Sequence, residues 1–323
     1  MIEDLPPIPA RSLPVSAHAP GKCIVFGEHA VVHGAPELVF AIDLRTQVFV
    51  QRGSVTRLNA DEDALRRNAY FRAAVEAGWK DDPPVEVRAV SRIPKAAGLG
   101  SSAALAASLA AAFGAAKGGI DRPSLAQRSF EIERGAQGVG SPGDTSTVVA
   151  GGFVAVNGGP GDPLWTIRAP ERSWEVRRVS DPGWVWVVAY SGIPRSTAEA
   201  VRAVGIRVAA PGGPELLEEF RRAATEGIDA VGRGDRPAVA ALLRRNQELL
   251  REVGVSHPRL EALLEAAAPA AEGAKITGAG AGGSVIALPI PGQETELVRR
   301  LARAGALPFV VHPSLEGASL VES

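Results

Sequence analysis

Residues 94–104 read Pro-Lys-Ala-Ala-Gly-Leu-Gly-Ser-Ser-Ala-Ala. Upstream lies a strand-like run, Val85 to Ile93, with apolar residues at 85, 87 and 89. Downstream, the Ala-rich run Ala103–Ala116 reads as a helix. A Gly-rich turn between strand and helix lets backbone N–H groups converge on an anion. The N-terminus of the following helix adds about half a positive charge. Ser101 and Ser102 stand where an N-cap or a Mg²⁺ ligand would stand. The segment is built to hold a polyphosphate.

Three phosphate-binding patterns compete for it. The Walker A loop ends in Gly-Lys-Ser/Thr, whereas Gly100 is followed by Ser101. The dinucleotide fingerprint is met by Gly98, Gly100 and Ala103, but it needs an acidic residue ending a second strand about 20 residues on. Asp121 has the spacing and lies in a turn instead. A second Gly-x-Gly-x-x-Gly, at Gly278, Gly280 and Gly283, runs into a strand rather than a helix.

The third pattern fits. Pro94-x3-Gly98-Leu99-Gly100-Ser101-Ser102-Ala103 resembles the phosphate loop of the GHMP kinases, named for galactose, homoserine, mevalonate and phosphomevalonate. Two further motifs of that family stand in family order. Ala19-Pro20-Gly21-Lys22-Cys23-Ile24-Val25-Phe26-Gly27-Glu28-His29-Ala30-Val31-Val32 lies near the N-terminus, and Lys275-Ile276-Thr277 followed by Gly278–Gly283 near the C-terminus. The resemblance covers the chain from about Ser16 onward. It implies an α+β protein with a ribosomal-protein-S5-like N-terminal domain and a ferredoxin-like C-terminal domain, with ATP and substrate between them.

Composition narrows the field. The 323 residues suggest about two domains. Lys and Arg number 35 against 36 Asp and Glu, which argues against a nucleic-acid or anionic-membrane partner. One cysteine, Cys23, excludes an internal disulfide and agrees with a cytoplasmic setting. Its apolar surroundings make it a buried small hydrophobe. The five histidines lack metal-ligand spacing, so no zinc site is expected. Residues 1–15, with four prolines between 5 and 14, are expected to be a loose tail. Domains are expected over 16–182 and 183–323. Strands are expected at Cys23–Phe26, Leu38–Ile42, Thr46–Val50, Val85–Val90, Gly152–Val156, Val176–Val179, Trp184–Ala189, Ser284–Leu288 and Leu307–His312. Helices are expected near Ala64–Ala77, Ser124–Gln137, Ser196–Val204, Pro214–Gly227, Pro237–Val253, Arg259–Ala268 and Gln293–Ala304. Asn157–Pro163 reads as a loop. This mixed order is α+β rather than doubly wound.

A kinase acting on a small alcohol works mainly by positioning and charge neutralisation. Glu131 and Glu133 sit on an expected helix, and Asp144 follows Glu133 by eleven positions in the turn-forming segment Gly140–Thr145. This pattern resembles the mevalonate kinases of this family, archaeal types above all; in mevalonate kinases a helix glutamate binds Mg²⁺ and an aspartate eleven residues on faces the substrate hydroxyl. The resemblance thus implies Glu133 and Ser102 as Mg²⁺ ligands, Glu131 being the rival of Glu133, and Asp144 as general base. Lys22 would lie near Asp144 and the γ-phosphate, where an ammonium offsets developing charge. Pro94, Gly98, Leu99, Gly100, Ser101, Ser102 and Ala103 would hold ATP. Gly27-Glu28-His29-Ala30-Val31-Val32-His33-Gly34 looks like the acceptor motif of mevalonate kinases, which puts Glu28 and His29 at the acceptor. Tyr190-Ser191-Gly192-Ile193-Pro194-Arg195-Ser196-Thr197 is similar to another of their segments. Arg195 could meet a carboxylate or phosphate bidentately, and Thr197 could shape the pocket or cap a helix. Members of the family are often dimeric, so a homodimer is an expectation too. Phosphomevalonate, homoserine or the 3-hydroxyl of mevalonate stay open as acceptors, and so does a non-catalytic sensor. Glu37 falls where the family usually has a small apolar residue, and nothing in the sequence accounts for it.

Overall fold

The structure, a computed structural model, describes residues 5–138, 140–194 and 197–322. The chain runs β1 (Val15–Phe26), β2 (Glu37–Arg52), β3 (Arg57–Leu58), α1 (Ala64–Arg67), α2 (Ala69–Gly78), β4 (Val85–Ser91) and α3 (Ser101–Ala116). It continues through α4 (Arg122–Gln137), α5 (Gly143–Ala150), β5 (Phe153–Val156), β6 (Asp162–Ala169), β7 (Arg172–Val179) and β8 (Trp186–Tyr190). Then come α6 (Thr197–Ala209), α7 (Gly213–Gly232), α8 (Arg236–Glu252), α9 (Pro258–Ala267), β9 (Ala271–Thr277), β10 (Ser284–Pro289), α10 (Glu294–Arg303), β11 (Leu307–Val311) and β12 (Ser319–Leu320).

These strands form two sheets. The first follows the order β12-β1-β2-β5-β7-β6, with β4 on the distal half of β2 and β3 beside β4. The second has the order β11-β8-β10-β9, and all its pairings are antiparallel. With α6 to α9 after β8 and α10 after β10, this is a ferredoxin-like β-α-β-β-α-β arrangement. The change of sheet falls between β7 and β8.

The helix behind the phosphate loop is apolar on every side. Ala103, Ala104, Ala106, Ala107, Ala110 and Ala111 are all fully buried. Such a helix must be enclosed, and α3 packs against β1, β2, α2, α4 and α5. Alanine's small side chain lets these neighbours approach closely. The core does not stop at the domain boundary. Phe40 of β2 stacks on Phe153 of β5 with ring centroids 5.0 Å apart and leans on Trp186 of β8 at 5.5 Å. Ile228 and Val231 of α7 and Leu243 of α8 join the same buried cluster. A second cluster, built on Leu250, Leu260, Leu263, Val285 and Leu297, lies between the smaller sheet and its helices.

Several expectations need correction. Of the segment read as a loose tail, the described part, from residue 5 onward, is docked: Ile8 and Ile120 exchange backbone hydrogen bonds of 2.8 and 2.9 Å, and Ile8 is buried. Buried Arg122 donates to Pro6 O at 2.6 Å and also to Ala318 O, so it clasps both ends of the chain. The two strands expected over 38–50 are one 16-residue strand, because pairing with β1 resumes at Arg45 after an irregularity at Asp43 and Leu44. The helix expected over 64–77 is broken at Asn68, whose side chain caps α2 by accepting from Phe71 N at 3.0 Å. The end of the 157–163 loop belongs to β6, and β9 went unread because Ala-Glu-Gly-Ala carries no strand pattern. Asp121 is the N-cap of α4, accepting from Ser124 N at 2.8 Å.

Candidate active site

The N-terminus of α3 is the centre of the site. Gly98 and Gly100 both take positive φ, at 84° and 78°. Gly100 is the N-cap residue, and a Cβ there would stand 2.7 Å from Lys22 Cγ. Only glycine suits both the backbone and the space. The loop is tied from two sides: Lys22 N donates to Leu99 O at 2.9 Å, and Ser284 Oγ donates to Ala97 O at 2.8 Å. The third motif is therefore the support of the phosphate loop. The first N–H groups of α3, those of Ser101, Ser102 and Ala103, lie in the positive end of the helix dipole.

Lys22 sits under this loop. Its ammonium donates to Gly98 O at 3.2 Å and lies 2.9 Å from Asp144 Oδ1. Lys22 is 1% exposed and the Asp144 side chain 27%, so the lysine is the floor of the site and the aspartate opens upward. Asp144 belongs to the first turn of α5 rather than to a turn. The Thr-Ser-Thr-Val-Val run that follows it is helical because every one of those residues is buried, and packing overrides their strand preference.

Glu133 faces the same point from α4. Its Oε1 accepts from Ser102 Oγ at 3.1 Å and from Gln137 Nε2 at 3.1 Å. Burial, and then the negative charge of Asp144, push its carboxyl up to about 8. Glu131 is exposed and accepts from Gln127 Nε2, so of the two only Glu133 meets Ser102. Tyr70 completes this wall by accepting from Gln137 Nε2 at 2.5 Å. Sequence reading missed Tyr70 and Gln137, although Gln137 lies one helical turn beyond Glu133.

Ser102 and Glu133 offer hard oxygen donors at the mouth of the phosphate loop, which suits Mg²⁺. Among the described residues no three His, Cys, Asp or Glu side chains converge on one point. The donor set therefore suits an ion that keeps waters and takes its other ligands from phosphate, which is the habit of Mg²⁺.

Glu28 and His29 follow β1. Glu28 forms a buried ion pair with Lys275 of β9. His29 takes φ 62°, is 6% exposed, and its Nε2 lies 3.0 Å from Ala279 O in the third motif. Thr277 Oγ1 accepts from Ile24 N at 3.0 Å and donates to Ile24 O at 2.9 Å, which clips the same two segments together. Glu28 is thus engaged by the protein itself, and Lys275 is a partner that the motif contained but its spacing did not reveal. Thr197 opens α6, and its side chain, like the whole of Arg195, lies outside the described residues. The segment before it is anchored: Ser191 N donates to Gly283 O and Gly283 N to Ile193 O, both at 2.9 Å. Cys23 is fully buried, and burial pushes its thiol up to about 12.

Residues 65–152 match the GHMP kinases N terminal domain, and residues 227–307 match the GHMP kinases C terminal domain. The chain is 32% identical to the mevalonate kinase of Archaeoglobus fulgidus over 315 residues, spanning 95% of this chain and 99% of that one. It is 31% identical to the mevalonate kinase of Pyrococcus horikoshii over 346 residues, spanning 95% and 98%. Among solved structures, L. major mevalonate kinase in complex with R-mevalonate superposes with a TM-score of 0.76 at 20% identity, over 95% of this chain and 99% of that one.

Proposed function

The chain belongs to the GHMP kinase family, and from that premise we propose that it transfers the γ-phosphoryl group of ATP to the 5-hydroxyl of mevalonate. The observation that carries this reading is the Lys22–Asp144 pair, held directly beneath the N-terminus of α3. Support for the acceptor comes from the relatives, which are mevalonate kinases along their whole length.

The residues divide the work. The backbone of Gly98–Ala103 and the positive end of α3 hold the polyphosphate. Ser102 and Glu133 would hold Mg²⁺, which would supply positive charge to offset that of the polyphosphate. Asp144 accepts the proton of the acceptor hydroxyl as its oxygen attacks phosphorus. Lys22 keeps Asp144 oriented and faces the charge that develops on the transferred group. His29, fixed by Ala279 O, and the described Ser191–Pro194 segment border the acceptor. Glu28 stands beside His29 at the acceptor, held by Lys275.

The test is the product mass after incubation with MgATP and mevalonate. A mevalonate monophosphate, with phosphorus coupled to the C5 protons in ³¹P–¹H NMR, is expected. ADP without that product would overturn the acceptor and direct the assay to phosphomevalonate and homoserine.

A further inference from the structure

Glu37 is the first residue of β2, and it is buried at 2% exposure. Its carboxyl oxygen Oε2 accepts from Ser141 Oγ at 3.0 Å, and Ser141 Oγ in turn accepts from Gly143 N at 3.4 Å. Gly143 begins α5, one residue before Asp144. A Cβ at Gly143 would stand 2.1 Å from Glu37 Oε2, so the carboxyl packs directly on the turn that launches the helix. The other side of Glu37 touches the acceptor motif. A Cβ at Gly27 would stand 2.6 Å from Glu37 Cα. One residue thus joins the Gly27–His29 segment to the Ser141–Asp144 segment, which lie more than 100 positions apart.

We propose that Glu37 is a positioning residue for Asp144, fixing the start of α5 through Ser141 and Gly143 and standing beside the Lys22–Asp144 pair as a third ionisable group. The proposal rests on the reading of Asp144 as the proton acceptor. The groups that face Glu37 are Asp144 of α5, Lys22 of β1, Ser141 of the turn before α5, and Glu28 after β1. Burial, and next the negative charge of Asp144, push the Glu37 carboxyl up to about 8, while Lys22 and the Ser141 hydroxyl pull it down. Near neutral pH Glu37 is an uncharged acid, and Lys22 serves Asp144 alone. When Glu37 ionises, two carboxylates share one ammonium beside the phosphate loop, and the added negative charge opposes an incoming polyphosphate.

The test compares wild type, Glu37→Gln and Glu37→Ala at saturating Mg²⁺ between pH 6 and 9.5. In wild type, kcat/KM for ATP is expected to fall severalfold above pH 8. Glu37→Gln keeps the shape and the neutral charge. It is expected to hold kcat at pH 7 within about threefold of wild type and to abolish the alkaline fall. Glu37→Ala removes the anchor, and kcat is expected to drop about tenfold or more with KM for mevalonate nearly unchanged. An alkaline fall that persists in Glu37→Gln, as it would if Glu133 caused it, overturns the proposal, and so does wild-type kcat in Glu37→Ala. Should Glu37→Ala not fold, the ¹³C carboxyl resonances of wild type and Glu37→Gln decide, read without substrates. The Asp144 carbon should respond as Glu37 titrates and lose that response in Glu37→Gln. Independent titration of the two overturns the coupling. A wild-type protein inactive on mevalonate would remove the functional reading, and a shared titration would still support the Glu37–Asp144 link.

Discussion

Lys22 reaches Asp144 from beneath the phosphate loop, with Nζ 2.9 Å from Oδ1, and holds Gly98 O with the same ammonium. One side chain therefore sets both the base and the loop. Asp144→Asn keeps the size of the side chain and removes its basicity. It should lower kcat at least about a hundredfold and leave KM for the acceptor little changed, since a positioned proton acceptor contributes about 10²–10⁴. Lys22→Met should lower kcat by a similar factor and also raise KM for ATP, because the Gly98 contact goes with it. Steady-state rates of ADP release check both. Near-wild-type turnover in Asp144→Asn would remove it from the mechanism.

The ion pair between Glu28 and Lys275 has no access to water, each residue being at most 2% exposed. Burying two charges costs much of what their attraction returns, yet breaking such a pair is expensive. Lys275→Met should destabilise the protein by about 3 kcal/mol or more, because the Glu28 carboxyl stays buried alone. The double variant Glu28→Gln, Lys275→Met should recover more than half of that loss. Urea midpoints of the four proteins in the cycle measure it, and additive losses would contradict a coupled pair.

Stability should depend on pH in a direction set by the buried acids. Glu37 and Glu133 have carboxyls pushed up to about 8, against 4.5 for the free side chain. Below pH 4.5 both folded and unfolded chains carry the protons, and the folded state loses nothing. Between 4.5 and 8 the unfolded chain ionises while the folded one does not. Unfolding therefore gains at most about 1.4 kcal/mol per pH unit from each group. Without Mg²⁺, the melting temperature should fall from pH 5 to 8 and then level. Glu37→Gln should make the fall shallower and raise Tm at pH 7.5. A melting temperature that rises across this window would show that these carboxyls are ionised in the folded protein.

Local chemistry made the phosphate loop legible. Gly98, Gly100 and the serines after them act through backbone conformation and helix capping, which neighbouring residues dictate. Lys22, Glu133 and Asp144 came from family spacing, and the structure gathers them at one point. Glu37 and Lys275 stayed silent because their partners lie 104 and 247 positions away, and no periodicity encodes a partner at that range. Helix α5 was read as a turn because Gly and Pro open it and β-branched residues fill it; burial on all sides makes it a helix. The proline-rich start looked loose because prolines discourage regular structure, but one apolar residue, Ile8, and the carbonyl of Pro6 suffice to dock it.

The buried cluster that runs from β2 through Trp186 to α7 bears on how the enzyme can move. A Cβ at Gly227 of α7 would stand 2.4 Å from Phe26 of β1, so the two halves meet without a seam. Swinging them apart like a clamshell would wet that contact at about 25 cal/mol for each Å² exposed. Substrate entry and product exit must then proceed without a large opening of one half against the other. Turnover should then be indifferent to constraints that hold the two halves together.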